Sequence, residues 1–120
     1  MILRNACLAA CTLLACGAAH CANLGFLGNA PISRMNEEDV NMMYATAQEA
    51  LEHGGDGQRR GWENPSTGAS GIMTPLDTYT GTDGIRCRHL QVISRAGGLK
   101  NQSVFELCRQ PDGQWKAQNR

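Results

Sequence analysis

Two cysteines and a histidine, Cys87, His89 and Cys108, are the residues of this chain whose types and spacing suggest chemistry. A thiolate beside an imidazole base is a nucleophile, while two thiolates and an imidazole supply three ligands to a zinc ion. Two thiols held at close range instead form a disulfide. Which of these applies depends on how the segment between the cysteines folds.

The segment between the cysteines is symmetric about a glycine pair, since Cys87 lies ten residues before Gly97 and Cys108 lies ten residues after Gly98. Adjacent glycines favour a two-residue hairpin turn, because both central positions of such a turn need a positive φ. In that hairpin the cysteines form a non-hydrogen-bonded pair, with Cα atoms about 4.5 Å apart. The spacing therefore predicts a disulfide that stabilises the fold by about 3 kcal/mol in the chain-entropy model.

The same register pairs Leu90 with Phe105 on one face of the hairpin and His89 with Glu106 on the other. A metal centre would lack a fourth ligand nearby, and an exported thiol pair at bridging distance would oxidise. We therefore predict no catalytic residue, no metal site and no cofactor. An enzyme that uses His89 and Glu106 is kept as an alternative, which requires both side chains in one cleft.

The first 22 residues have the composition of a secretory leader. Arg4 supplies a positive charge near the start, residues 6–15 are mainly Ala, Leu and Cys, and the small residues Gly17, Ala18 and Ala19 follow. We expect residues 1–22 to be removed on export. The apolar run is far shorter than the roughly 20 residues that cross a bilayer, so no transmembrane span is predicted.

A second route of processing would use Cys16. The sequence Leu13-Leu14-Ala15-Cys16 resembles a lipobox, in which the cysteine is acylated before cleavage, although Leu14 is bulkier than usual there. Acylation at Cys16 would leave Cys21 as an odd thiol, whereas cleavage near Ala22 leaves only Cys87 and Cys108. An even number of cysteines suits an oxidising compartment, so cleavage near Ala22 is favoured over a lipid anchor at Cys16.

The charge of the chain argues against nucleic acid as a partner. Of the 11 Lys and Arg residues, Arg4 would leave with the leader, so ten remain against 11 Asp and Glu. The remaining basic residues are scattered among acids and are not interleaved with aromatic residues that would stack on bases.

A helix is predicted from about Asn36 to His53. Asn36 suits the N-cap, three acids follow it in the first turn, and Gly54-Gly55 is expected to end the helix in the left-handed conformation. His53 then lies near the negative end of the helix dipole. The helical period gives one apolar stripe, which comprises Val40, Met43, Tyr44, Ala47, Ala50 and Leu51.

After Gly57 the sequence consists of short segments separated by turn residues. Strands are predicted at Gln58 to Glu63, at Gly71 to Thr80, in the two arms of the cysteine hairpin and around Trp115. Pro75 places its strand at a sheet edge or a bulge. The predicted fold is α+β, with an N-terminal amphipathic helix on a small, twisted, antiparallel meander of about five strands and one disulfide. Residues 36–120 form the domain, and residues 23–35 form an irregular lead-in.

Arg59, Arg60 and Trp62 form a small group that could bind a partner. A partly exposed tryptophan beside arginines is typical of the centre of a protein interface. The alternative role of Trp62, and the one that we favour, is packing in the core.

Three stretches of the sequence together resemble a known family. They are Trp62-Glu-Asn-Pro-Ser-Thr-Gly-Ala-Ser-Gly-Ile-Met-Thr-Pro75, Cys87-Arg88 and Cys108-Arg-Gln-Pro-Asp-Gly-Gln-Trp115. Taken together, they resemble the bacterial surface-antigen domain named for a rickettsial outer-membrane antigen of about seventeen kilodaltons, from about Ala47 to Trp115. The resemblance implies export to the envelope of a Gram-negative bacterium, frequently as an outer-membrane lipoprotein, and no enzymatic activity.

The chain departs from the named antigen because it lacks the Gly-rich apolar segment between leader and domain, and because its lipobox is poor. The sequence thus predicts a non-enzymatic cell-envelope protein, in the periplasm or at the outer membrane, that acts by binding an unknown envelope protein or ligand or by structural support. The alternative is a periplasmic accessory subunit or inhibitor that docks on an envelope enzyme or machine.

Intact mass spectrometry of the protein recovered from native envelope fractions tests the leader and the disulfide together. We expect an N-terminus near Ala22 and a mass gain of two hydrogens on reduction, because two thiols replace one disulfide. An acylated N-terminus at Cys16 would instead show a lipoprotein with Cys21 as an extra thiol.

Overall fold

The structure is a computed structural model that describes residues 30–118. A short 3-10 helix, Ala30–Arg34, precedes the helix α1, Glu37–His53. Five strands follow: β1, Arg60–Glu63; β2, Ser70–Thr80; β3, Arg86–Ala96; β4, Leu99–Arg109; and β5, Trp115–Ala117. They form one antiparallel sheet in the order β1-β2-β3-β4-β5. The predicted α+β meander with one helix and five strands is confirmed.

The β3–β4 hairpin has the register that the sequence predicts. Ala96 pairs with Leu99 across the turn, and Cys87 pairs with Cys108. Gly97 and Gly98 adopt φ angles of 56° and 79°, the conformation that a two-residue turn requires of both central residues. The two cysteines are joined by a disulfide, with Cα atoms 4.0 Å apart. The predicted disulfide is therefore confirmed.

Alternation along β3 and β4 separates an inner face, which carries α1, from an outer face. Leu90, Val92 and Leu107 are buried on the inner face. From α1, the residues that join them in the core are Met43, Ala47, Ala50 and Leu51. Val40, which the helical period places in the same stripe, is only partly buried and lies outside this cluster, whereas Met42 packs against it.

Asp39 is the fully buried residue of the first turn of α1, and it fastens the helix to the β1–β2 turn. Its Oδ1 accepts hydrogen bonds from the Asn64 amide at 2.7 Å and the Thr67 hydroxyl at 2.7 Å, while its Oδ2 accepts from the Asn36 N–H. Burial alone would raise the pKa of Asp39, but these hydrogen bonds outweigh it and hold the pKa below its ordinary value. Asn36 is the N-cap, as predicted.

The end of α1 differs from the prediction. Gly54 has φ −73° and ψ 138°, so the helix ends in extended and not left-handed backbone. Glycine is needed at this position for space, because a Cβ on Gly54 would lie 2.5 Å from the Ala50 carbonyl oxygen. The exposed His53 lies 4.0 Å from Glu49. The cation that binds the last carbonyl groups of the helix is a residue of the sheet.

That cation is Arg88, which is 1% exposed on the inner face of β3. Its Nη1 donates to the carbonyl oxygens of Ala50 and Leu51 at 3.0 and 2.8 Å. Its Nε donates to the Thr78 hydroxyl, and its Nη2 to Asp56 at 2.9 Å. Arg88 thus supplies a donor to the Leu51 carbonyl at the helix end and a second donor to the Ala50 carbonyl, which also accepts from the Gly54 N–H at 3.0 Å, and it ties the end of α1 to two strands.

Trp62 and Pro75 fix the start of the sheet. Trp62 is 7% exposed and lies against Gly71, where a Cβ would come within 2.4 Å of the indole Nε1. β1 pairs with β2 only as far as Met73, and the register between β2 and β3 shifts between Pro75 and Asp77. Pro75 therefore lies beyond the reach of β1 and beside a bulge, as its missing N–H requires. Observed β1 begins at Arg60, two residues later than predicted.

Replacement of Arg88 by methionine keeps the aliphatic bulk but removes the buried donor from the Leu51 carbonyl and one of the two donors from the Ala50 carbonyl. We expect a loss of about 2–4 kcal/mol in the free energy of unfolding, measured by urea denaturation, since a hydrogen bond to a charged group contributes about 1.5–3 kcal/mol. Arg86→Met is the matched control because Arg86 is exposed on the same strand. Equal losses in the two variants would contradict the role given to Arg88.

Candidate functional site

The outer face of the sheet carries a polar row formed by Asp77, His89 and Glu106, which are cross-strand neighbours on β2, β3 and β4. His89 Nδ1 lies 2.7 Å from Asp77 Oδ1, and His89 Nε2 lies 3.7 Å from Glu106 Oε2. The Tyr79 hydroxyl donates to Glu106 Oε2, and the rings of Tyr79 and His89 lie 5.9 Å apart. The predicted pairing of His89 with Glu106 is confirmed.

This polar row lies on a sheet face and not in a cleft. The His89 side chain is 36% exposed, and each of its ring nitrogens faces a carboxylate. Glu106 is the less exposed partner, with 16% of its side chain accessible. The arrangement therefore fits a surface network of cross-strand pairs.

The disulfide forms part of the lining of a cleft at the end of the sheet beyond this polar row. The cleft has a volume of about 460 Å³, and Cys87, Cys108, Thr82, Gln110 and Lys116 contribute to its walls. Cys87 and Cys108 are 2% and 6% exposed. The Cβ that Gly81 lacks would lie 3.1 Å from the Cys87 sulfur, so glycine lets the β2–β3 loop approach the disulfide closely.

A second cleft, of about 540 Å³, adjoins the first and is lined by Asp83, Ile85 and Gln110, which also line the first, together with Arg86 and Pro111. The walls of the two clefts combine the β2–β3 and β4–β5 connections with the ends of the strands that these connections join. Both connections begin or end at strands joined by the Cys87–Cys108 disulfide, so loop residues are held on a rigid base. Loops carried in this way are the usual place for recognition.

Glu52 holds the end of α1 against this region. Its Oε1 accepts hydrogen bonds from Arg109 Nε at 2.8 Å and from the indole N–H of Trp115 at 3.0 Å. Burial would raise the pKa of Glu52, but the bonds from Arg109 and Trp115 outweigh it and keep the pKa below its ordinary value. The carboxylate is thus ionised at neutral pH, and it fixes the base of the second cleft.

The three residues predicted to bind a partner do not share one environment. Arg59 is exposed and Arg60 is partly buried, while Trp62 belongs to the core. The indole is therefore not an exposed anchor, and recognition at this edge remains a prediction that rests on Arg59 and Arg60. Cys16, the residue predicted to carry a lipid anchor, lies outside the described residues.

Sequence reasoning missed Asp77 and Tyr79 as neighbours of His89, and it missed the cleft. The alternation of β2 places Asp77 and Tyr79 on one face, but the bulge at Leu76 decides which residues of β3 they meet. No signal in the sequence locates that bulge beyond Pro75 itself. The cleft depends on the relative position of two loops that lie far apart in the chain.

Two further properties concern metals and membranes. Within residues 30–118, no group of three or more His, Cys, Asp or Glu side chains is arranged to hold a metal ion. The same part of the chain contains no helix that is both long and apolar enough to span a membrane.

Comparison with known proteins gives matches over most of this domain. The sequence profile of the family described as 17 kDa outer membrane surface antigen matches residues 49–116. The 17 kDa surface antigen of Rickettsia conorii is 38% identical over 85 residues, which cover 71% of this chain and 54% of that protein. The 17 kDa surface antigen of Rickettsia prowazekii is 37% identical over 84 residues, which cover 70% of this chain and 53% of that protein.

The chain thus aligns with about half the length of these relatives. No solved structure gives a significant match. The matched region contains the Asn64–Gly68 turn that binds Asp39, the cysteine pair and the turn before Trp115, which are the stretches on which the resemblance rests. This chain belongs to the 17 kDa outer membrane surface antigen family.

Proposed function

We propose that this chain is an exported, non-enzymatic protein of the Gram-negative cell envelope that acts by binding an envelope component. Family membership supports the cell envelope, and the Cys87–Cys108 disulfide supports an oxidising compartment. The leader-like composition of residues 1–22 supports export. In this proposal residues 1–22 are the leader, 23–35 the lead-in and 36–120 the domain that binds.

The proposal favours cleavage near Ala22 and release into the periplasm, or peripheral attachment to the outer membrane. Acylation at Cys16 would instead tether the domain to a membrane and leave Cys21 as an odd free thiol beside the disulfide. In either case the domain of residues 36–120 reaches its partner through its own surface.

The observation that carries the binding proposal is the pair of adjoining clefts at the disulfide end of the sheet. Their walls present the hydroxyl of Thr82, the amide of Gln110 and the charges of Asp83, Lys116 and Arg86. Apolar contact comes from Ile85 and the disulfide itself. Such a mixture of hydroxyl, amide and charged groups on a rigid base suits a polar partner of extended shape, such as a loop of another envelope protein.

Site-specific photo-crosslinking in growing cells tests this assignment. A photoreactive residue is placed at Thr82, in the wall of the first cleft, and at Ser66 as a matched control, since Ser66 is equally exposed in a turn at the opposite end of the sheet. We expect a discrete adduct from position 82 that is absent at position 66. Substitution of Gln110 by Arg, which fills both clefts, should reduce the adduct several-fold. Equal adducts at the two positions would count against the clefts as the binding site.

A second candidate function, that of an accessory subunit or inhibitor, is favoured by the open edge of β4. β5 pairs with β4 only at Leu107, Cys108 and Arg109, and the Gln118 N–H then donates to the Glu106 carbonyl. Because backbone groups alternate along a strand, those of Gln102 and Val104 point to the same side as Glu106. Within residues 30–118 no strand pairs with them, and an extended segment of another protein could add to the sheet there.

Proline substitution on β4 distinguishes this second candidate. Gln102→Pro removes an N–H that points away from β3, so the domain should stay folded while edge pairing is lost. Ser103→Pro is the control. It removes an N–H that points toward β3, so it should lower stability by about 3 kcal/mol. If an envelope complex of the wild-type chain, seen by native electrophoresis, survived in Gln102→Pro, the edge would not be its docking site.

A further inference from the structure

The outer face of the sheet has an ordered distribution of charge. At one end, Arg95 of β3 lies directly opposite Lys100 of β4, and both side chains are exposed. At the other end lies the row of Asp77, His89 and Glu106. His89 and Arg95 are six residues apart on one strand, which separates the two rows by about 20 Å.

The pairing of Arg95 with Lys100 is unfavourable in the isolated chain, because like charges directly opposite each other destabilise a sheet. Among the ion pairs within residues 30–118, none includes either residue. The neighbour of Arg95 on β2 is Ser70, and the acid of that row, Glu63, lies one strand farther away on β1. The positive row is therefore not neutralised by the residues directly beside it.

Between the two charged rows the outer face carries no ionisable side chain. Ile72 and Ile93 are cross-strand neighbours there and are partly buried, and Gln91 pairs with Val104 in the next row. Val104 is 52% exposed, the most exposed large apolar side chain among the described residues. The face formed by β2, β3 and β4 thus has an uncharged, partly apolar centre with two cations at one end and two carboxylates at the other, and the exposed Lys116 of β5, which pairs with Cys108, lies beyond the carboxylates.

We propose that this face is the contact surface between two copies of this chain. A two-fold axis parallel to the sheet and perpendicular to its strands reverses the direction of the rows. It places Lys100 of each copy over Glu106 of the other and Arg95 over His89, between Asp77 and Glu106, with Ile93 and Val104 of both copies near the centre. An isologous interface needs one surface that is complementary to itself, and this charge distribution provides it.

The two signs of charge distinguish this partner from others. A membrane of anionic lipid would attract Arg95 and Lys100 but would repel Asp77 and Glu106 at the other end of the same flat face. A two-fold axis parallel to the strands would place Arg95 over Arg95 and is disfavoured for the same reason. Of the two two-fold arrangements, only the one whose axis is perpendicular to the strands brings the positive row of each copy to the negative row of the other.

The size of the face sets the strength of the dimer. Three strands about 4.8 Å apart and a length of about 25 Å give roughly 360 Å² per copy, so about 700 Å² in total, which lies well below the standard size of stable interfaces. The dimer is therefore weak, with a dissociation constant on the order of 100 μM. Such a dimer forms where the protein is concentrated and separates on dilution.

Sedimentation equilibrium of the full chain, recovered in its oxidised form after export, measures this association at low and high salt. We expect a monomer–dimer equilibrium at 50 mM salt that weakens at least several-fold at 500 mM, because added salt screens the charged rows. Lys100→Glu should weaken the dimer at least tenfold, and Arg95→Glu/Lys100→Glu should abolish it. Arg59→Glu, which reverses an exposed charge outside this face, should leave the dimer unchanged.

Two further measurements keep the test decisive. Lys100→Glu places opposite charges across β3 and β4, so its midpoint of thermal unfolding should be equal to or above that of the wild type, which shows that loss of the dimer is not loss of fold. A mixture of Lys100→Glu with Glu106→Lys should associate more tightly than either variant alone, because each contact between residues 100 and 106 then joins opposite charges. A wild-type chain that stays monomeric at about 1 mM, or a dimer that resists Lys100→Glu, would overturn the proposal.

Discussion

The position of the helix on the sheet depends on one side chain, the buried guanidinium of Arg88. A helix ends with carbonyl groups that have no partner within it, and these are costly to bury. Arg88 donates to the Leu51 carbonyl and adds a second donor to the Ala50 carbonyl, while its other nitrogens bind Thr78 and Asp56. A lysine could not make this set of bonds, since an ammonium group lacks the planar, forked geometry of a guanidinium. Because Asp56 also accepts from Thr78, the whole group joins α1, β2 and β3 as one unit.

The two ends of α1 are held by different chemistry. At the start, a buried carboxylate accepts three hydrogen bonds, two of them from the β1–β2 turn; at the end, a buried cation donates four. Each charge has the sign that the helix dipole favours at that end. The apolar contacts between these ends involve two alanines, Ala47 and Ala50, so they allow close approach but give little shape specificity. The polar clusters therefore fix where along the sheet the helix lies.

Local sequence patterns predicted the helix and the strands, whereas contacts between residues far apart in the chain determine which polar residues are buried. The hairpin register follows from Gly97-Gly98 and the symmetry of the cysteines, and the helix from its cap and its period. Asp39 and Arg88 bind partners 25 and 38 residues away along the chain, so neither sequence spacing nor composition identifies them as buried. Trp62 was ambiguous for the same reason, because its burial depends on Gly71 in the next strand. The clefts and the charge distribution of the outer face appear only when the strands are set side by side.

The meander order has a consequence for how such a protein folds after it leaves the cytoplasm. Every strand pairs with its neighbour in sequence, so the sheet needs no long loop to close before its first contacts form, and chains of this kind fold quickly. The β3–β4 hairpin brings Cys87 and Cys108 together through its own turn, without help from α1. Oxidation can therefore proceed on a partly folded chain and retain the correct hairpin while the helix docks. A chain that reaches the envelope unfolded can thus form its disulfide within the β3–β4 hairpin, whose strands are adjacent in the sequence.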